Sequence, residues 1–170
     1  MSDVQITVHD DATKALERLE PAKILPRLAR VIDYQNQLTV AHIQRDYLSL
    51  PKDGPTSMDG CRVITNRLRG SIRAQKSTLD GNGIRSSIGS NVVYAHILEE
   101  GGNTPPHKIV ARNAKALAFN GIFRRSVNHP GSHIEGRHYV RRGIADRIQV
   151  YNRALSLTIL ASDAAIGGEP

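Results

Sequence analysis

Residues 138–161, which read HYVRRGIADRIQVYNRALSLTILA, decide the fold more than any other stretch of the chain. Their apolar side chains recur at steps of three and four, which is the spacing of one face of an α-helix. The arginines of the stretch fall off this stripe. We therefore predict a long amphipathic helix from His138 to about Ala161, packed inside its own subunit. The stripe consists of Val140, Ile144, Ile148, Tyr151, Leu155 and Ile159.

A second helical pattern covers Ile24–Tyr47, toward the other end of the chain. Pro26 has to lie in its first turn, where the missing N–H group costs little. Gln35 interrupts the apolar face. The pattern predicts a first long helix whose apolar stripe is Ile24, Leu28, Val31, Leu38 and Ala41.

Two β-hairpins are predicted between the long helices. Ser71–Leu79 and Ile84–Gly89 flank a turn that reads DGNG, and Ala116–Phe119 and Ile122–Val127 flank an Asn-Gly pair. Glycine-containing turns between such segments are strong hairpin signals. Strands in the middle and helices at both ends predict an α+β fold, with one small antiparallel sheet packed against the N-terminal and C-terminal long helices.

A short helix is expected between the hairpins, over Asn91–Glu100. Gly89 allows the preceding strand to stop, and Ser90 or Asn91 is a suitable helix cap. Tyr94 and Ile97 are expected to face the sheet, whereas Glu99 and Glu100 are expected at a solvated helix end. The residues predicted to define the fold are Gly89, Asn91, Tyr94, Ile97 and Ile148.

The chain length of 170 residues fits one domain over residues 1–170. Extended loops rich in Gly or Pro are predicted at about 51–60, 101–113 and 128–137, followed by a short C-terminal tail. A short strand over Val4–Val8 and a short helix over Ala12–Leu19 are expected at the N-terminus.

The overall composition narrows the setting of the protein. There is one cysteine, Cys61, so no internal disulfide can form and a reducing compartment is expected. The sequence contains no apolar run of the roughly 18 residues that would cross a membrane. The acidic N-terminus lacks the apolar region of a signal peptide. These features predict maturation in a cytoplasm and no membrane partner.

No constellation in the sequence predicts chemistry. Cys61 has no recognisable histidine partner. His129, His133 and His138 have spacings that could suit a metal, but Pro130 and two glycines keep them off one helical face. A polar loop in contact with a partner is the favoured interpretation. We expect no catalytic residue, no metal and no cofactor, and therefore a protein that is not an enzyme.

The formal net charge is +7, which suits contact with nucleic acid or with acidic protein. Aromatic residues are not interleaved with the basic groups in the manner of a single-strand binding surface. No helix-turn-helix or zinc-finger pattern is present. Contact with acidic protein or a plain solvated face is at least as well supported as contact with DNA. The basic groups are Arg67/Arg69/Arg73, Arg124/Arg125 and Arg137/Arg141/Arg142.

Four segments, in order, resemble a known family of tailed-bacteriophage proteins. They read TNRLRGSI over 65–72, IGSNVVYAHILEEGG over 88–102, KALAF over 115–119 with the later HPG at 129–131, and RHYVRRGI over 137–144. The set is similar to the tail-completion or virion-morphogenesis proteins of the head–tail neck. Two positions depart from that pattern: His138-Tyr139 stands for the usual Pro-Phe, and Glu99-Glu100 for the usual Phe.

The resemblance implies a structural virion protein assembled in the host cytoplasm. Several copies would form a ring around the DNA channel, between the portal or connector proteins and the tail tube or tail terminator. A tail-terminator or minor capsid protein, a basic DNA-binding module and a small hydrolase are the alternatives. The residues expected to contact partners are Arg124, Arg125, Arg137, Arg141, Arg142, His129 and His133.

Overall fold

The computed structural model describes residues 15, 19–50, 61, 65–80, 83–112 and 114–166. The predicted strand at Val4–Val8, most of the predicted helix Ala12–Leu19, the loop 51–60 and the tail beyond residue 166 lie outside them. The described helices are α1 (Pro21–His42), a π-helical segment (Ile43–Tyr47), α2 (Arg67–Ser71), α3 (Ala95–Glu100) and α4 (Tyr139–Ile166).

Two long helices, α1 and α4, form the frame of the molecule and run antiparallel. The first turns of α1 meet the end of α4, where Ile24 and Leu28 pack with Leu155 and Ile159. The far end of α1 leads into the π-helical segment, whose Ile43 meets the start of α4. The prediction that the α4 stripe packs inside its own subunit is therefore confirmed at its C-terminal half.

A buried polar layer separates two apolar clusters along this helix pair. Gln35, Asn36 and Thr39 of α1 are all buried. The side-chain oxygen of Gln35 accepts a hydrogen bond from Arg147 of α4 (3.3 Å), and the Asn36 amide donates to the Ser86 hydroxyl (2.6 Å). Gln35 was expected to interrupt the α1 stripe, yet it belongs to the buried face, where Arg147 satisfies its side-chain oxygen.

The second apolar cluster lies where α1, the hairpin and α4 converge. Ile43, Ile72 and Tyr139 are at most 1% exposed. The hydroxyl of Tyr139 donates to the carbonyl of Ala95 (3.1 Å), so α3 is joined to the first turn of α4. The cluster consists of Val40, Ile43, Leu48, Ile72 and Tyr139.

The first predicted hairpin is confirmed and lies against α1. Its strands are β1 (Arg73–Ala74), β2 (Thr78–Asp80), β3 (Gly83–Arg85) and β4 (Ile88–Gly89). β2 pairs with β3 and β1 pairs with β4, both antiparallel. Three residues on one strand oppose two on the other between the ladders, which is a β-bulge. The amide of Ser77 in this bulge donates to Asp33 of α1 (2.7 Å), so the bulge is fixed to the helix.

The second predicted hairpin is also confirmed, but it is only the tip of a much longer structure. Three ladders follow one another: β5 with β10, β6 with β9, and β7 with β8. Together they make one two-stranded ribbon over residues 102–134, called the arm below. Its strands are β5 (Gly102–Thr104), β6 (His107–Val110), β7 (Leu117–Phe119), β8 (Ile122–Arg124), β9 (Ser126–His129) and β10 (Ser132–Ile134).

The arm corrects the prediction of extended loops at 101–113 and 128–137. These two segments pair with each other from Gly102 opposite Ile134 to Lys108 opposite Asn128, and the pairing continues to Val110 opposite Ser126 of the predicted strand. Prolines 105, 106 and 130 suggested loops, but they only interrupt the ladder because a proline lacks the donor for one bond. The pairing partners are distant in sequence, so local turn signals could not reveal them.

The α+β class is confirmed, with long helices toward both ends and antiparallel strands between them. The strands of the described residues form five two-stranded ladders instead of one sheet. No described helix is long and apolar enough to cross a membrane.

Candidate functional site

The arm is the most exposed part of the described structure. Between His96 and His138 no described side chain is buried. Residues 122–134 alone span roughly 40 Å at about 3.3 Å per residue. A ribbon of this length gains little from the core of its own subunit, so its surface is available for contact with another molecule.

The tip of the arm is apolar. Asn120 (φ 48°) and Gly121 (φ 77°) both have the left-handed backbone that a tight hairpin turn of this type requires. The side chains around the turn are exposed: Phe119 by 43%, Ile122 by 47% and Phe123 by 73%. Phe119 and Phe123 are the only two phenylalanines of the chain. Exposed apolar clusters of this kind mark contact sites.

The arm also carries most of the net charge of the protein. It contains no Asp or Glu, whereas the rest of the chain has 18 Lys and Arg against 16 Asp and Glu. The arm therefore contributes +5 of the total of +7, and the remainder contributes +2. Its basic residues are Lys108, Arg112, Lys115, Arg124 and Arg125, and all are exposed.

Glu99 fixes the root of the arm to α4. Its carboxylate accepts hydrogen bonds from the backbone N–H groups of Val140 and Arg141, both at 3.0 Å. A helix N-terminus carries unpaired N–H groups and a partial positive charge, so a carboxylate is favourable there. Glu99 was expected at a solvated helix end. It is half-buried and caps a helix that begins 40 residues later.

Two glycines allow the strands at the root to approach closely. A Cβ atom on Gly101 would lie 2.6 Å from the backbone nitrogen of Gly136, and one on Gly136 would lie 2.7 Å from the carbonyl carbon of Glu100. Backbone hydrogen bonds from Arg137 to Leu98 (2.8 Å) and from His138 to Glu99 (3.0 Å) close the same junction. The root is therefore a packed backbone junction.

The structure divides the residues predicted to contact partners into two groups. Arg124, Arg125, His129 and His133 lie on the arm. Arg137, Arg141 and Arg142 lie at its root, where Arg141 pairs with Glu100 (3.0 Å) and Arg142 stacks over the Tyr47 ring at 5.2 Å. The root arginines thus hold elements of their own subunit together.

The structure does not gather the three histidines singled out by their spacing. His129 stacks on His107, with ring centroids 5.0 Å apart, and His133 contacts the side chain of Asn103 (2.8 Å). His138 has a left-handed backbone (φ 51°) at the root. No group of three or more His, Cys, Asp or Glu in the described part of the chain could hold a metal ion.

Most of the residues predicted to define the fold lie near the surface. Asn91 is exposed, Tyr94 is 39% exposed, and Ile97 and Ile148 are half-buried. A Cβ atom on Gly89 would meet nothing within 4 Å. The short helix packs instead through Val92 and Ala95, which are 7% exposed. Ser90 does accept a hydrogen bond from Val92 N–H (3.1 Å), which helps to order the turn before the helix.

A polar cluster not identified from the sequence joins the π-helical segment to α4. The two ring nitrogens of His42 contact Asp46 (2.6 Å) and Asp146 (2.9 Å), and the Tyr47 hydroxyl donates to Asp146 (2.5 Å). The Tyr47 hydrogen bond, followed by that from His42, lowers the pKa of the Asp146 carboxyl. The hydrogen bond from Arg45 is the main cause that lowers the pKa of Asp46.

Cys61 is half-buried beside the second apolar cluster. Burial raises the pKa of its thiol, partly offset by the nearby charge of Arg137. The reactive thiolate is therefore depleted at neutral pH. Cys61 lies outside the arm and is not part of its exposed surface.

Comparison of the chain with family models, curated proteins and solved structures found no match.

Proposed function

We propose that this protein is a structural subunit of a tailed-phage virion, a tail-completion protein that joins the head to the tail. Copies of the chain would form a ring in the neck, in contact with the portal or connector on one side and the tail tube or tail terminator on the other. Its work is adhesion, and the proposal includes no catalytic step or cofactor.

The observation that supports an assembly role is the arm with its apolar tip. Phe119, Ile122 and Phe123 are exposed in the isolated subunit, and burying one such side chain in a partner is worth about 1.5–3 kcal/mol. The packed root lies at one end of the arm and this tip lies at the other end. A protein whose task is to connect neighbours needs such a projecting contact, and the four-segment resemblance points to the neck.

The test is to replace Phe119 and Phe123 together by Ser in the phage genome that encodes the chain. Because both side chains are exposed, the purified variant should keep the wild-type unfolding temperature. Infected cells should accumulate filled heads and separate tails, which electron microscopy of lysates would count. Leu79→Ser removes an apolar side chain that is 52% exposed on the other hairpin and serves as the matched control.

Normal head–tail joining by the Phe119/Phe123 variant would contradict the proposal. Defective tail length or defective capsids with normal joining would favour the tail-terminator or minor-capsid alternative.

A further inference from the structure

We propose that the arm binds double-stranded DNA through its basic side chains, without sequence preference. The charge and geometry of the ribbon support this binding whether or not the chain is a neck protein. The purified chain is sufficient to test it.

Positive charge is concentrated in the arm. Within the arm five basic side chains occur with no carboxylate, so nothing in the ribbon neutralises them. The rest of the chain has a small positive balance of its own. A second copy of the chain therefore offers no net negative charge to the arm, which favours a different, anionic molecule as the ligand.

The basic side chains are distributed along the arm from Lys108 to Arg125. Residues directly opposite each other in an antiparallel ladder share a face. Arg124 lies opposite Leu117, and Lys108 lies opposite Asn128. Arg125 lies between β8 and β9, and its carbonyl accepts a hydrogen bond from the Ala111 N–H (3.1 Å). Arg112 and Lys115 lie between β6 and β7.

This distribution favours DNA over a protein surface. Lys108 shares its face of β6 with Val110, whereas His107 and Ile109 occupy the other face. The remaining cations lie between the paired segments and next to the tip, so positive charge is spread along the ribbon. A two-stranded ribbon fits the major groove of DNA, which has a phosphate strand on each side, and cations spread along the ribbon can pair with those phosphates.

The test measures the binding of the full chain to a duplex of about 30 base pairs by fluorescence anisotropy, at several salt concentrations between about 50 and 200 mM. Five phosphate contacts predict a slope of about −4.5 for log affinity against log salt concentration. The affinity should therefore fall roughly 500-fold over this range. Two duplexes of unrelated sequence should bind equally.

Removal of two arm cations by Arg124→Ala/Arg125→Ala should make the slope less steep, at about −2.7. The affinity of this variant should then fall only roughly 40-fold over the same salt range. The matched control is Arg67→Ala/Arg69→Ala, which removes the same charge from exposed positions outside the arm. It should leave the slope near that of the wild type. Circular dichroism of both variants should match the wild type.

Absence of duplex binding at low salt would overturn the inference. So would a salt dependence that weakens in the Arg67/Arg69 variant but stays at the wild-type value in the Arg124/Arg125 variant. Binding to vesicles of anionic lipid, or to an acidic protein, with none to the duplex would assign the arm to that other partner and also overturn it. Head–tail joining is not measured, so this result and the test of the neck proposal are independent.

Discussion

At the scale of single residues, two glycines that both lie inside helices differ in how closely they are packed. A Cβ atom on Gly143 of α4 would collide with the side chain of Ile43, which is fully buried. A Cβ atom on Gly70 of α2 would meet nothing within 4 Å. Glycine in a helix is ordinarily less favourable than alanine. Gly143 is therefore required by packing, and Gly70 is not.

We expect Gly143→Ala to lower the free energy of unfolding by about 1–3 kcal/mol, because the added methyl group forces α4 away from Ile43. Gly70→Ala is the matched control and should be neutral or raise stability by up to about 1 kcal/mol. Urea unfolding of the two variants measures both values. A gain in stability for Gly143→Ala would show that the two helices are not in such close contact.

At the scale of elements, the junction between α3, the arm and α4 depends on a carboxylate that the sequence did not mark. From the sequence, the adjacent Glu99 and Glu100 at a helix end are expected to be solvated. Glu99 instead caps α4, and Glu100 forms a partly exposed pair with Arg141. The two neighbours therefore differ in structural importance.

Glu99→Ala should lower stability by about 0.5–2 kcal/mol, because two backbone N–H groups of α4 lose their acceptor. Amide hydrogen exchange at Val140 and Arg141 should become faster, and this readout locates the effect. Glu100→Ala is the control and should cost less than about 1 kcal/mol, as exposed ion pairs do. Equal effects of the two variants on exchange at Val140 would contradict the capping role.

At the scale of the whole molecule, the polar cluster of His42, Asp46, Tyr47 and Asp146 joins the first long helix to the last. The pKa of Asp146 is lower in the folded protein than in the unfolded chain, where an Asp titrates near 4. The unfolded chain therefore binds more protons in that range, and stability rises with pH through it. The contribution is present above about pH 4 and is lost as the pH falls through the folded value.

We expect the unfolding temperature of Asp146→Asn to lie below that of the wild type at pH 6, and the difference to narrow on acidification below about pH 4. Tyr47→Phe removes the hydroxyl that is the main cause of the lowered pKa and should show the same narrowing. Calorimetry from pH 3 to pH 6 on the three proteins measures the trend. A difference that stays constant with pH would show that Asp146 gains nothing from these partners.

Local sequence patterns specify the secondary structure of the two long helices and the class of the fold. The periods of 138–161 and 24–47 specify two amphipathic helices, and the Asn-Gly turn specifies the arm tip, because these signals depend only on neighbours along the chain. Arg124 and Arg125 beside that turn were predicted to contact a partner, so part of the candidate site was predicted, whereas the exposed Phe119 and Phe123 were not singled out.

The tertiary structure alone decided what those elements contact. The pairing of 102–110 with 126–134 joins residues far apart, and no local pattern records it. The burial of Gln35 and the capping by Glu99 depend on partners on distant elements, namely Arg147 and the start of α4. A polar side chain is solvated or buried according to whether a partner reaches it, and only the packed chain determines which partners do.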